Sequence, residues 1–242
     1  MRMLSFAARN RKEILRDPIN LFFGLGFPIV LMLLLYAIQS KIPVSLFEIA
    51  HLTPGIAVFG LSFMTLFSAT VISKDRASAF MMRLLTTPLK GTDFILGYTI
   101  PMLAMAFVQS VICYFFAILL GLTIKIEIVY AILLNLPTAV LFIAMGLFFG
   151  SIFNDKQVGG ICGALLTNLC AWLSGAWFDL KLVGGVFFSI AKALPFYHAV
   201  ELQREILSVT TKDFWLHFVV VLAYAIVFTI LAILTFLRKI KQ

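Results

Sequence analysis

The chain has 242 residues, 62% of them hydrophobic and only 12% charged, with a formal net charge of +8. An average soluble domain is about 45–50% apolar and about 25% charged, so a water-soluble globule of this size has no interior able to hide so much apolar surface. The composition excludes a soluble enzyme or binding domain and predicts an all-α, polytopic membrane protein; topology and anionic headgroups account for the positive charge, and no basic, aromatic-studded soluble face calls for nucleic acid.

Residues 2–16 read as an amphipathic helix along a membrane surface. Leu4, Ala7, Ala8, Ile14 and Leu15 recur at helical spacing, with Arg9, Arg11, Lys12 and Arg16 around the rest. Asp17-Pro18 is then an N-cap followed by proline at the first helical position, restarting a helix at a new angle. Six apolar blocks follow, at about 19–40, 52–73, 94–124, 128–150, 158–178 and 214–237. Each reaches the ~20 residues that carry a helix across ~30 Å of hydrocarbon. All 19 basic and 11 acidic residues fall outside these blocks. The first block lacks a small-residue cleavage signal and is read as a retained span. The third is long enough to tilt, or to break near Pro101. Six spans fill most of the chain and form a single transmembrane domain over 1–242. Cys113, Cys162 and Cys170 lie inside blocks and read as buried small hydrophobes.

An even number of spans puts both termini on one side. Thirteen basic residues share that side, and six lie opposite: Lys41, Lys125, Lys181, Lys192, Arg204 and Lys212. The positive-inside bias makes both termini cytoplasmic.

The loop 74–93 is then cytoplasmic. It has a charged head, Lys74, Asp75 and Arg76, and a short helix-forming run with Phe80, Met81, Arg83, Leu84 and Leu85 that Pro88 ends. Apolar and basic residues displayed together suit a helix docking into another protein's groove. The segment 179–213 carries a second apolar run, Val183 to Val200, opened by Gly184-Gly185 and interrupted by Lys192 and Pro195. A seventh span would move the basic tail outside, so a re-entrant hairpin or outer-leaflet helix fits better. Pro195, Tyr197, His198 and Glu201 open its last stretch; Glu201 and Arg204 are three apart, at the spacing of a local ion pair.

No lysine is followed by serine or threonine, so the phosphate-binding P-loop pattern is missing throughout. No Asp, Glu, Lys or Arg sits within a span, which disfavours proton relays and carboxylate-based sodium sites. His51, His198 and His217 are scattered near interfaces and read as hydrogen bonders, with no metal centre and no catalytic residues. Ser62, Thr65, Ser68 and Thr70 in the second span and Asn168 in the fifth either line a pathway or join packed helices by hydrogen bonds. Gly146-xxx-Gly150 and the 159–163 glycines have the spacing of close helix approach.

Taken in order along six spans, these features resemble the permease subunit of the export-type ATP-binding cassette family, the type-2 permeases. The resemblance covers nearly the whole chain. It rests on the surface helix, on Arg83-Leu84-Leu85-Thr86-Thr87-Pro88-Leu89 after a charged head, and on Leu194-Pro195-Phe196-Tyr197-His198-Ala199-Val200-Glu201 before the last span. The chain departs from the family pattern at Ala79 and Met82, where glycine and an acidic residue are common.

The resemblance implies a multi-pass protein of a bacterial-type cytoplasmic (inner) membrane. Its partners would be a second permease chain, identical or paralogous, and two ATPase subunits that bind ATP and magnesium. Lys74, Asp75, Arg76, Phe80, Arg83, Leu84, Leu85 and Pro88 would form the coupling element, with the N-terminal helix beside it. Residues 183–205 would cap the route, and this chain would hold no cofactor. The cargo implied is a small amphipathic molecule, drug, lipid or peptide; a polysaccharide-exporting permease, a self-sufficient secondary transporter or channel, and a scaffold that anchors an ATPase are the alternatives.

Overall fold

A computed structural model describes residues 2–41, 48–78, 91–210 and 212–240. Among them the secondary structure is helical, without strands. Helix α1 spans Arg2–Leu15. Asp17 caps the next helix by accepting the Asn20 N–H at 3.1 Å, and Pro18 supplies its first residue. That helix, α2, covers Pro18–Gln39 and widens to π geometry over Phe22–Gly26. Then come α3 (Ile49–Arg76), α4 (Gly91–Leu119) and α5 (Glu127–Ile152). Residues 155–173, here α6, are continuously helical, with a π stretch at Gly159–Leu166. Three shorter helices, α7 (Leu180–Val183), α8 (Gly185–Ala193) and α9 (Pro195–Ser208), precede α10 (Phe214–Ile240).

Five helices, α2, α3, α4, α5 and α10, are long and apolar enough to cross a membrane, so the chain is a multi-pass membrane protein. Pro101 does not break α4, just as Pro54 and Pro137 sit inside α3 and α5. The third apolar block ends as helix at Leu119 and not at 124, because Gly121 takes a left-handed φ of +106° that closes the last turn. Helix α6 likewise stops at Leu173, ahead of the expected 178, with Gly175 at φ +74°.

Helix α3 is the axis of the bundle. Of its most apolar window 89% is buried, against 22% for α2 and 17% for α10. Gly146 and Gly150 let α5 lie directly on it: a Cβ at Gly150 would stand 2.7 Å from the Ala69 Cα, and one at Gly146 3.0 Å from the Thr65 carbonyl carbon. Thr65 donates to the Phe142 carbonyl at 2.9 Å across the same seam, while Ser68, whose closest acceptor is the Met64 carbonyl of its own helix, lies 3.3 Å from the Ile143 carbonyl. A second polar seam joins α4, α5 and α9. Asn135 donates to Ser110 at 2.9 Å, and the Gln203 amide lies 3.2 Å from the Tyr114 hydroxyl.

The two chain ends lie at one end of the bundle. Phe6 of α1 packs edge-on against Phe94 and Tyr98 of α4, and Phe94 packs on Phe236 of α10. Helix α6 runs beside α3 from this α1 end, where Asp155 meets Ser73 at 3.4 Å, to the far end, where Ala176 abuts Gly55. The apolar run 183–200 is not one continuous helix. Gly184 and Gly185 take φ of +64° and +56°, Leu194 is extended, and Pro195 starts α9, so the run folds into a far-end cap.

Candidate functional site

The α1 end gathers four helices around the last turn of α3. Arg9 of α1 reaches the Asp75 carboxylate at 2.7 Å, and the Tyr98 hydroxyl of α4 donates to the same oxygen at 2.9 Å. Asp75 is 2% exposed; its two partners offset the cost of burying the charge. Arg9 also meets Glu13 at 2.6 Å. Partial burial works against the Arg9 charge, and the Asp75 carboxylate more than offsets it, holding the guanidinium above its ordinary value. Asn10, buried beside it, donates to the Gly97 carbonyl at 3.0 Å.

Arg76, one residue on, donates to the carbonyls of Gly150 at 2.7 Å and Phe153 at 3.3 Å. These close the C-terminus of α5, where a cation also complements the helix dipole. Lys74, Asp75 and Arg76 are therefore the end of a span helix and not the head of a loop. The hydrogen bonds to Asp75 and Arg76 carry α3 past its apolar block; Lys74 alone of the three is exposed. Phe80, Arg83, Leu84, Leu85 and Pro88 lie outside the described residues.

The apolar positions of α1 divide between two faces. Phe6, Ala7, Asn10 and Ile14 are buried, because Phe6 and Asn10 are bound to α4, while Leu4 (60% exposed) and Leu15 (61%) point away. Arg11, Lys12 and Arg16 are exposed on that outer side.

The far end holds a polar cavity of about 940 Å³ bordered by α3, α8, α9 and α10. Arg204 organises one wall. It pairs with Glu201 at 2.8 Å and donates to the carbonyls of Gly175 at 2.9 Å and His51 at 3.4 Å. Burial, reinforced by Glu201, pushes the Tyr197 phenol up to about 12. Burial also raises the Glu205 carboxyl, whose one buried oxygen lacks a partner while the other accepts the Asp213 N–H at 3.1 Å. His198 and His217, read from the sequence as scattered, are in contact: their Nδ1 atoms are 2.7 Å apart. A 19-residue separation hid the pair, which the turn before α10 brings together. Pro195 starts α9 and is buried under the cap.

Ser62, Thr65 and Ser68 are all 0% exposed and bonded to backbone carbonyls, Ser62 to that of Phe59 at 2.6 Å. Of the three, Thr65 bonds most closely to a neighbouring helix, while Ser62 and Ser68 have their closest acceptors within α3. Asn168 differs: it is exposed, donates to the Ala164 carbonyl at 2.7 Å, and borders a cavity of about 360 Å³ between α2 and α6, beside Phe27, Leu31 and Trp172. Gln109, Asn135 and Gln203, buried in or beside the spans, received no role from the sequence because nothing in their spacing sets them apart. Among the described residues no cluster of three or more His, Cys, Asp or Glu side chains is placed to hold a metal ion.

The model of a protein family described as ABC-2 type transporter matches residues 2–208. No curated protein matches the chain.

Proposed function

Since the chain belongs to the ABC-2 type transporter family, the membrane permease components of ABC exporters, we propose that it moves a small amphipathic molecule, drug, lipid or peptide outward, driven by a separate ATPase. Two permease chains and two ATPase subunits make up the transporter, and ATP and magnesium bind to the ATPases. The α1 end faces the cytoplasm of a bacterial-type inner membrane. Helix α6 is the sixth span: at about 1.5 Å per residue its length approaches the ~30 Å hydrocarbon core. An even count of spans agrees with both chain ends lying at one end of the bundle.

One observation carries the coupling assignment. The last turn of α3 is bound to α1, α4 and α5 through Asp75 and Arg76, and the chain leaves it directly into residues 79–90. A push on that segment is delivered to the most buried helix of the bundle, with little slack between them. Phe80, Arg83, Leu84, Leu85 and Pro88 form the element that docks into the ATPase. Leu4 and Leu15 seat α1 in the cytoplasmic leaflet, with Arg11, Lys12 and Arg16 at the headgroups. The exposed faces of α2 and α6 meet the second permease chain, and cargo passes between them near Asn168.

The test is co-expression with an ATPase of the same transporter, detergent extraction and affinity capture of the permease. Wild type is compared with a chain lacking residues 79–88 and with Arg83→Glu. Capture of an active ATPase by wild type, lost on deletion and weakened by Arg83→Glu, is the expected result. Capture that ignores both changes sinks the docking assignment.

A further inference from the structure

We propose that His198 and His217 form a proton-operated latch, holding the far-end cap against α10 at neutral pH and releasing it in acid. The proposal goes beyond the export reading and requires only that the cap meet water.

The bonding fixes where the protons are. His198 Nε2 lies 2.8 Å from the Lys192 carbonyl, which only accepts, so Nε2 carries a hydrogen. In a neutral ring Nδ1 is then the lone-pair nitrogen. It lies 2.7 Å from His217 Nδ1, which must be the donor. Two neutral imidazoles thus tie α8, α9 and α10 in one chain of hydrogen bonds. One further proton, taken on His217 Nε2, leaves every bond intact. A second would put hydrogen on both Nδ1 atoms and set two cations face to face. The closed latch therefore accepts one proton and the open latch two.

Linkage gives the direction. Free imidazoles titrate near about 6.5. Burial holds His198 below its ordinary value, against the pull of the Lys192 carbonyl. The docked cap is thus favoured above about 6.5 and loses ground as pH falls through that value, because the open form binds more protons. Between pH 7.5 and 5 the open-to-closed ratio should rise on the order of 100-fold, with a proton dependence between first and second order.

The neighbours adjust this balance without abolishing it. Lys192 on α8 opposes protonation of His198, while Glu201 on α9 favours it. Tyr197 packs edge-on against both rings, at 5.5 and 5.9 Å between centroids. Arg204 and Glu205 on α9, His51 and Glu48 on or beside α3, Lys181 on α7, and Lys212 and Asp213 ahead of α10 border the same cavity. Helix α5 meets α9 around Gln203 with the uncharged Ala131 and Asn135. His51 is the remaining imidazole there and serves as the control.

The experiment uses the full-length protein in lipid nanodiscs. Amide exchange of residues 195–208, normalised to the intrinsic rate at each pH, is followed from pH 7.5 to 5. Wild type should lose protection by the stated factor. His217→Asn keeps an amide donor at the Nδ1 position and should respond with first-order dependence at most. His198→Gln/His217→Asn should respond little or not at all, and His51→Gln should respond as wild type. Protection that stays flat in wild type, or a loss unchanged in the double variant, overturns the latch. Imidazole NMR of the wild-type protein needs no variant: one shared proton across the pair is expected, and two independent titrations near about 6.5 would refute it.

Discussion

The Arg9 guanidinium and the Asp75 carboxylate, 66 positions apart in the chain, meet at 2.7 Å, and the pair is unequally buried. The Asp75 side chain is 3% exposed, whereas that of Arg9 is 35% exposed and has Glu13 as a second partner. Removing one partner or the other is therefore not equivalent. Arg9→Ala strands a buried carboxylate with one phenol, and should destabilise the protein by about 2–3 kcal/mol. Asp75→Asn keeps an acceptor for Tyr98 and leaves Arg9 to Glu13 and water, at a cost of about 1 kcal/mol or less. Melting in detergent decides the matter. The double variant should recover most of the Arg9→Ala loss; additive losses would show that the pair carries no coupling, and equal single losses would contradict its unequal burial.

The seam between α3 and α5 gives a sharper contrast among glycines. At Gly150 any side chain meets Ala69 backbone and Ile72, and at Gly146 it meets Thr65 and Ser68. Gly150→Leu or Gly146→Val should cost at least about 1–3 kcal/mol by forcing the helices apart. A Cβ at Gly159 has nothing within 4 Å, so Gly159→Ala should be neutral or gain a few tenths to about 1 kcal/mol. Similar melting midpoints for all three variants would mean that α3 and α5 do not pack this closely.

Thr65 and Ser68 separate packing from pathway. Both are fully buried at the seam; Thr65 donates across it to an α5 carbonyl, and Ser68 has its closest acceptor in α3. Thr65→Val should lower stability by about 1 kcal/mol while leaving cargo preference untouched. Asn168→Leu should do the reverse, changing which cargo stimulates ATP hydrolysis with little effect on melting. A shift in cargo preference with Thr65→Val would place the route through the axis of the bundle.

Five of the spans were legible because each is a long apolar run, and so was the Asp17-Pro18 restart, since cap and proline act within one turn. Gly184-Gly185 and Pro195, each a local breaker, marked where the apolar run 183–200 is interrupted. Contacts between distant segments were hidden. Nothing in the sequence near Asp75 reveals that Arg9 lies beside it, and the amphipathic pattern of α1 shows two usable faces without saying which one α4 takes. The serine and threonine run of the second span fits a pathway and a seam equally well until the helix opposite is known. The contact between His198 and His217 was hidden for the same reason, since it depends on how α9 returns to α10.

Sidedness is the remaining inference from charge, and it sets the orientation of every other assignment. Basic residues near anionic headgroups gain about 1 kcal/mol each, so an excess on one side fixes which end stays in the cytoplasm. In the sequence thirteen basic residues fall in the two terminal segments and the even-numbered loops between apolar blocks. The six of the opposite end share it with Glu48, Asp179, Glu201, Glu205 and Asp213. Lys12 and Lys74 at the first end, and Lys181 and Lys212 at the second, are all exposed. The native cysteines Cys113, Cys162 and Cys170 are buried, so single cysteines can be read against a quiet background. In right-side-out vesicles a membrane-impermeant maleimide should label Lys181→Cys and Lys212→Cys, and should reach Lys12→Cys and Lys74→Cys only after permeabilisation. The opposite pattern would put residues 79–90 outside, away from any ATPase, and both the coupling element and the direction of transport would fall with it.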